Sequence, residues 1–134
     1  MFVDASAMVA IIAREPDAES LTNRLEGASV RYTSAVAVLE TVMALPRIGA
    51  GSIAQAEQLV RHRLRHADIE KIPITARESA AALTAYARYG KGHAHPAQLN
   101  LGDCFAYACA RSRDVPLLFV GTDFSQTDIT AATA

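Results

Sequence analysis

Hydrophobic positions along this chain alternate between short extended runs and longer stretches of helical spacing. Residues 1–3, 30–33, 69–74 and 117–120 have the length and the apolar or β-branched character of short strands. Residues 5–13 read as one or two apolar helical turns closed by Glu15-Pro16, and residues 17–25 as a second short helix ended by Gly27. Ser34 caps a helix running to about Leu45, where Pro46 and Gly49 break it. Ser52 opens another, in which Ile53, Ala56, Leu59, Val60 and Leu64 share one face opposite a charged one. Thr75 and Glu78 have the spacing of a capping box for a helix through Tyr89. Residues 90–96 form a loop, and Asn100 starts a helix through about Arg113. Strands that alternate with helices in this way predict a parallel sheet flanked by helices, an α/β fold.

The bulk properties narrow the class. A length of 134 residues predicts a single domain, residues 1–134, with a core of its own. Half the residues are apolar and the net charge is −1, so neither disorder nor a global basic field is expected. Any affinity for a polyanion must be local. Cys104 and Cys109 lie five apart on one helix, point to different faces and cannot bridge; buried, reduced thiols in a reducing compartment are the reading. There is no basic leader and no apolar run of membrane-spanning length, so a cytoplasmic protein without membrane contact is the expectation.

Four acids stand out by position. Asp4 and Asp123 follow strand ends, while Glu40 and Asp103 lie early in helices. In open α/β sheets ligands gather beyond the carboxyl ends of the strands, where all four could meet. Two such charges 4 Å apart repel by about 4 kcal/mol at an effective dielectric near 20. A hard divalent cation such as Mg²⁺ or Mn²⁺, which takes oxygen ligands, would resolve that repulsion. Each acid also has an ordinary explanation. Asp4 can cap the first helix, Asp103 can complete a capping pair with Asn100, and Asp123 can open a terminal turn. Glu40 resists one, because it interrupts the apolar stretch 35–44.

Other chemistry is weaker. His62 and His66 share a helix face, but arginines surround them and no glutamate stands between, so residues 61–66 read as a solvated basic face. Gly90-Lys91-Gly92 lacks the phosphate-loop pattern, and no nucleophile elbow is present. Lys91 and the 61–65 cluster are the candidate phosphate contacts.

Taken in order, these blocks resemble a known family. Met-Phe-Val-Asp4-Ala-Ser6, Tyr-Thr-Ser34-Ala-Val-Ala-Val-Leu-Glu40, Tyr89-Gly-Lys91-Gly with Pro96-Ala-Gln-Leu-Asn100-Leu-Gly-Asp103-Cys-Phe-Ala-Tyr, and Leu117-Leu-Phe-Val-Gly-Thr-Asp123 are similar to the motifs of PIN-domain ribonucleases, above all toxins of the VapC type. The resemblance implies a three-layer α/β/α sandwich with a central parallel sheet. It implies an acidic pocket that holds Mg²⁺ or Mn²⁺ and cleaves RNA by metal-activated water. Asp4, Glu40, Asp103 and Asp123 match the catalytic and metal-binding acids, with Ser6, Asn100 and Thr122 in support. Thr122 stands where many relatives carry Asn or an acid, and Asp128 competes for the fourth role but reads as structural. The implied partners are an RNA substrate, a cognate antitoxin whose basic tail enters the pocket, and a second copy of the chain. A non-catalytic RNA- or protein-binding module, and a structure-specific DNA nuclease of related fold, remain as alternatives.

Overall fold

The structure, a computed structural model, describes residues 1–132. Its strands are β1 (Phe2–Val3), β2 (Tyr32–Ser34), β3 (Glu70–Ile72) and β4 (Leu117–Leu118), and its helices are α1 (Ala5–Ile12), α2 (Ala18–Gly27), α3 (Ala35–Arg47), α4 (Ile53–His66), α5 (Ala76–Tyr89) and α6 (Leu101–Ser112). A short 3-10 turn, Phe124–Gln126, follows β4. The sheet is wholly parallel, in the order β3-β2-β1-β4.

Strand alternation explains the layering. Phe2 lies opposite Leu117 and Val3 opposite Leu118, so adjacent residues must face opposite sides of the sheet. Phe2, Leu117 and Ile72 pack with Ala82, Ala85, Cys104 and Ala108 of α5 and α6. Val3 and Leu118 pack with Ala7, Met8 and Ile11 of α1 and with Leu21 and Leu25 of α2. A third cluster, Leu45, Ala56 and Val60, joins α3 to α4. Helices therefore cover both faces, which is why the strands carry apolar residues on both. Alanines on the facing sides of α5 and α6 allow close approach, and Cys104 and Cys109 are buried there as free thiols.

The expected elements are present with altered ends. The strands expected over 69–74 and 117–120 shrink to three and two paired residues, because Ile69 and Phe119 lie outside the ladder. The second strand is shifted to end at Ser34, whose side chain then accepts from Ala37 N–H and caps α3. Pro46 does not stop α3, which runs one residue further to Arg47. It sits in the last turn, where α3 is about to end. The capping boxes Thr75–Glu78 and Asn100–Asp103 both form, and Ser52 with Gln55 makes another. No helix among the described residues is long and apolar enough to cross a membrane.

Candidate active site

The sheet order sets the location. From β1 the chain moves to β2 and β3 on one side, while β4 lies on the other, so the winding reverses beside β1. A crevice opens beyond the carboxyl ends of strands at such a point. Asp4 is the first residue past β1 and stands at its mouth. It caps α1, its backbone N–H donates to Leu118 O at 3.0 Å, and its side chain is 4% exposed. Ser6 donates to Asp4 Oδ2 twice, from its backbone N–H at 3.0 Å and its Oγ at 2.5 Å. Ser6 Oγ in turn accepts from Val120 N–H at 3.0 Å. One hydroxyl thus ties the first acid to the segment leaving β4. Burial pushes the Asp4 carboxyl above the usual range despite the opposing hydrogen bonds from Ser6.

Glu40 approaches from α3 and Asp103 from the first turn of α6. They meet because residue 102 is glycine. A Cβ there would overlap the Glu40 carboxylate, so the bare backbone of α6 is what leaves it room. Burial raises Glu40 from 4.5 to about 7, aided by the charges of Asp4 and Asp103. Burial likewise raises Asp103 from 3.8 to about 6, with further upward push from Asp4 and Asp123 and an opposing hydrogen bond from Asn100. Asn100 and Asp103 hold each other in a reciprocal cap: Asp103 N–H donates to Asn100 Oδ1 at 2.9 Å, and Asn100 N–H to Asp103 Oδ2 at 3.1 Å. The ordinary capping explanations for Asp4 and Asp103 are therefore true of the structure. They coexist with mutual repulsion between the same groups.

Asp123 is exposed at the start of the 3-10 turn and makes no side-chain cap; its charge reaches Asp103. Thr122 is exposed, and its carbonyl accepts from Ser125 Oγ at 2.6 Å. Asp128 points elsewhere. It accepts from the Tyr107 hydroxyl and lies 3.5 Å from Arg88, and these partners, Tyr107 foremost, hold its carboxyl below the usual range. The structure thus gathers Asp4, Glu40, Asp103 and, at the rim, Asp123, and leaves Asp128 bracing α5 against α6. Gly102 and the Val120 N–H are site features that sequence reasoning missed. The signal for Gly102 was a glycine in the first turn of a helix, a place where a better helix former is expected.

Among the described residues, no three His, Cys, Asp or Glu side chains stand together closely enough to ligate one ion as they are. Ser6 occupies Asp4 Oδ2, and the Asn100 backbone occupies Asp103 Oδ2. The donor set still suits a hard divalent cation, because it is all carboxylate oxygen and carries unneutralised negative charge. Small side-chain rotations would be required to close it. The basic residues of α4 lie on a helix that packs against α3 and α1; there His62 and His66 stack 5.7 Å apart, and Arg61 pairs with Glu57. A cavity of about 720 Å³ is lined by Met1, Arg24, Val30 and Pro116, at the opposite ends of the strands from the acids.

The chain is similar to known proteins. The PIN domain family matches residues 1–129. The chain belongs to the PIN-domain family. A VapC ribonuclease of Rhizobium meliloti is 40% identical to it over 139 residues, spanning 96% of this chain and 98% of its own. A ribonuclease VapC of Mycolicibacterium smegmatis is 40% identical over 131 residues, spanning 98% of each. A ribonuclease VapC of Mycobacterium tuberculosis is 39% identical over 132 residues, spanning 98% and 97%. The chain is therefore a PIN-domain protein of the VapC type. Two solved structures share the fold. One is a Mycobacterium tuberculosis VapC described as a sarcin–ricin-loop-cleaving toxin, with a TM-score of 0.77 and 19% identity over 99% of this chain and 98% of that one. The other belongs to a toxin–antitoxin complex from Klebsiella pneumoniae, with a TM-score of 0.65 and 17% identity over 92% and 89%.

Proposed function

We propose that this PIN-domain protein is an endoribonuclease, the toxin of a type II toxin–antitoxin pair, with Asp4, Glu40, Asp103 and Asp123 as its catalytic acids. The observation that carries the reading is the convergence of Asp4, Glu40 and Asp103 from the end of β1, from α3 and from α6 into one site, with the Glu40 carboxylate against Gly102 beside Asp103 and the charge of Asp4 raising the proton affinity of both others. Folding such charges together costs stability, and carboxyls perturbed in this way gather at functional sites. The same four acids are the proposed ligands of Mg²⁺ or Mn²⁺. When bound, such an ion supplies positive charge to the phosphate and lowers the pKa of water at neutral pH.

The chain's own residues orient the site. Ser6 fixes Asp4 against the end of β4 through its Oδ2. The Asn100 backbone N–H likewise holds Asp103 through its Oδ2. Glu40 lies over bare backbone at Gly102. Asp123, exposed at the rim, is placed to meet substrate or ion from the solvent side. Attack by water predicts a 5′-phosphate and a 3′-hydroxyl on the products.

Asp4→Asn and Asp103→Asn should each abolish RNA cleavage while circular dichroism and gel filtration stay as in the parent. Sequencing RNA ends after brief induction of the wild type and of Asp4→Asn tests this directly. Cyclic 2′,3′-phosphate ends, or equal cutting by both proteins, would refute the assignment. Cleavage of DNA but not RNA would favour the structure-specific DNA nuclease, and tight RNA binding without cutting would favour a binding module.

The reading includes a cognate antitoxin. An arginine guanidinium can pair bidentately with a carboxylate and fill the same deficit of positive charge. It also includes a homodimer, for which exposed Leu39, Met43, Leu83 and Leu101 provide apolar surface. A reduced, cytoplasmic setting suits the two free thiols. Light scattering, and co-purification with the product of an adjacent reading frame, test the partners.

A further inference from the structure

The connection from α5 to α6 is more elaborately built than a helix linkage requires. Residues 90–98 leave α5 and return so that Lys91 N–H donates to Leu99 O and Leu99 N–H to Tyr89 O, both at 2.8 Å. The neck is thus a closed bridge, and what lies between is a loop with a fixed stem. Gln98 holds it together from inside. Its Nε2 donates to His93 O at 2.9 Å and to His95 O at 2.6 Å, and its Oε1 accepts from Gly92 N–H at 3.3 Å. Gln98 does this from the left-handed backbone region, with φ of 51°, where a side chain of its kind is rarely found. His95 takes the Ala97 N–H on Nδ1 at 3.1 Å and stands edge-on to Tyr89, and His93 leans on Tyr86. Yet the outward side chains, Lys91 and His93, are exposed and make no salt bridge among the described residues. Strain and internal hydrogen bonds are spent on a loop that buries little of itself. Such strained, ordered, exposed loops gather at functional sites.

The loop's position says which function. Leu99, clipped to Lys91, stands four residues before Asp103, a span of at most about 14 Å even if extended. The stem of the loop is therefore held beside the first turn of α6, the turn that carries Asp103.

We propose that residues 90–98 form a preorganised clamp for the RNA backbone, in which Lys91 and His93 contact phosphates flanking the scissile one and Gln98 is the positioning residue that holds the clamp in shape. This rests on the ribonuclease reading above. The clamp reads backbone charge rather than base sequence, as phosphate contacts do. Its rigidity means that ordering the loop is not charged against binding.

The test uses the full chain in the Asp4→Asn background and a fluorescein-labelled, mixed-sequence single-stranded RNA, with anisotropy read across a salt series. Lys91→Gln should weaken binding several-fold and flatten the slope of log affinity against log salt by about 0.7, the value for one single-strand phosphate contact. Gln98→Ala should weaken binding by a similar factor while thermal unfolding moves little. Gln98→Gly, which relieves the strained φ but lacks the amide, should bind as poorly as Gln98→Ala. Arg63→Gln on α4 should change binding less than Lys91→Gln. An unchanged affinity and salt slope for Lys91→Gln, or full affinity for both Gln98 variants, overturns the clamp. In the otherwise wild-type protein, Lys91→Gln should raise KM and hold kcat. Cleavage that survives in the Asp4→Asn parent would instead refute the catalytic role given to the acids, and absence of cleavage by the wild type would refute the ribonuclease reading, so these failures are distinguishable from that of the clamp.

Discussion

Replacing Glu40 with Gln removes one charge from the carboxylate cluster without changing its shape, and the effect on stability has a predictable sign. The folded protein holds the Glu40 proton up to about pH 7, whereas the ordinary value is 4.5. A carboxyl that binds its proton more tightly when folded favours the native state while protonated. Below pH 4.5 there is no penalty. Between 4.5 and 7 stability falls because the unfolded chain gives up this proton while the folded one keeps it, and above 7 the penalty is complete. At 1.36 kcal/mol per pH unit the rise bounds that penalty at about 3 kcal/mol. Glu40 is only partly withdrawn from water, and screening reduces the expectation to about 1–2 kcal/mol. Urea unfolding in EDTA should therefore find Glu40→Gln more stable than wild type by that amount at pH 8, with the two curves meeting near pH 4.5. Saturating Mg²⁺ should stabilise the wild type more than the variant, by up to about 2.7 kcal/mol at a hundredfold excess over Kd. Cleavage should be lost at every pH. Superimposable stability curves above pH 5 would show that Glu40 does not face the other carboxylates, and the shared site would fall with it.

Gly102→Ala offers a complementary test. Alanine should favour the helix by about 1 kcal/mol, but its Cβ must displace the Glu40 carboxylate. Unfolding should change little while cleavage drops at least tenfold; a stabilised, fully active variant would refute the role given to Gly102. Ser6→Ala leaves Asp4 with a single donor and the Val120 N–H without its acceptor. A loss of about 1–2 kcal/mol is expected, with cleavage reduced but less than in Asp4→Asn, measured by denaturation and single-turnover kinetics. Acid should unfold the protein through other groups. Glu78 is held down to about 2, chiefly by the Thr75 hydroxyl, so its contribution is complete above 4.5 and is lost as pH falls toward 2. Metal-free stability should thus peak between the two limbs, below pH 4.5, because the raised Asp4 and Asp103 begin to oppose folding before Glu40 does, and Glu78→Gln should flatten the acid side.

How much of this could be read from the chain depended on the range of the interactions involved. Local patterns were legible. The capping boxes at Thr75–Glu78 and Asn100–Asp103, the helices they open and the strand preceding Asp4 all follow from residues within one turn of each other. The parallel sheet followed from the alternation of elements, since strands joined by helices have few other ways to pair. Ends were less legible. The strands are cut short where ladder partners run out, and Pro46 is tolerated because α3 was about to end anyway.

The four candidate acids could be named in advance, each at the mouth of a strand or the start of a helix. Whether their charges would meet could not, because that depends on how α3 and α6 pack, and the contact turns on one missing Cβ at Gly102. Asp128 shows the same limit from the other side: in sequence it rivals Asp123, and only packing delivers it to Tyr107 and Arg88. Gln98 is a plain polar residue in the chain and a loop's internal brace in space. Sequence alone determined which residues could carry charge and how each segment would coil, because those are near-neighbour matters. Tertiary structure decided which charges repel and which are neutralised, because Coulomb energy depends on distances that only the packed sheet and helices set.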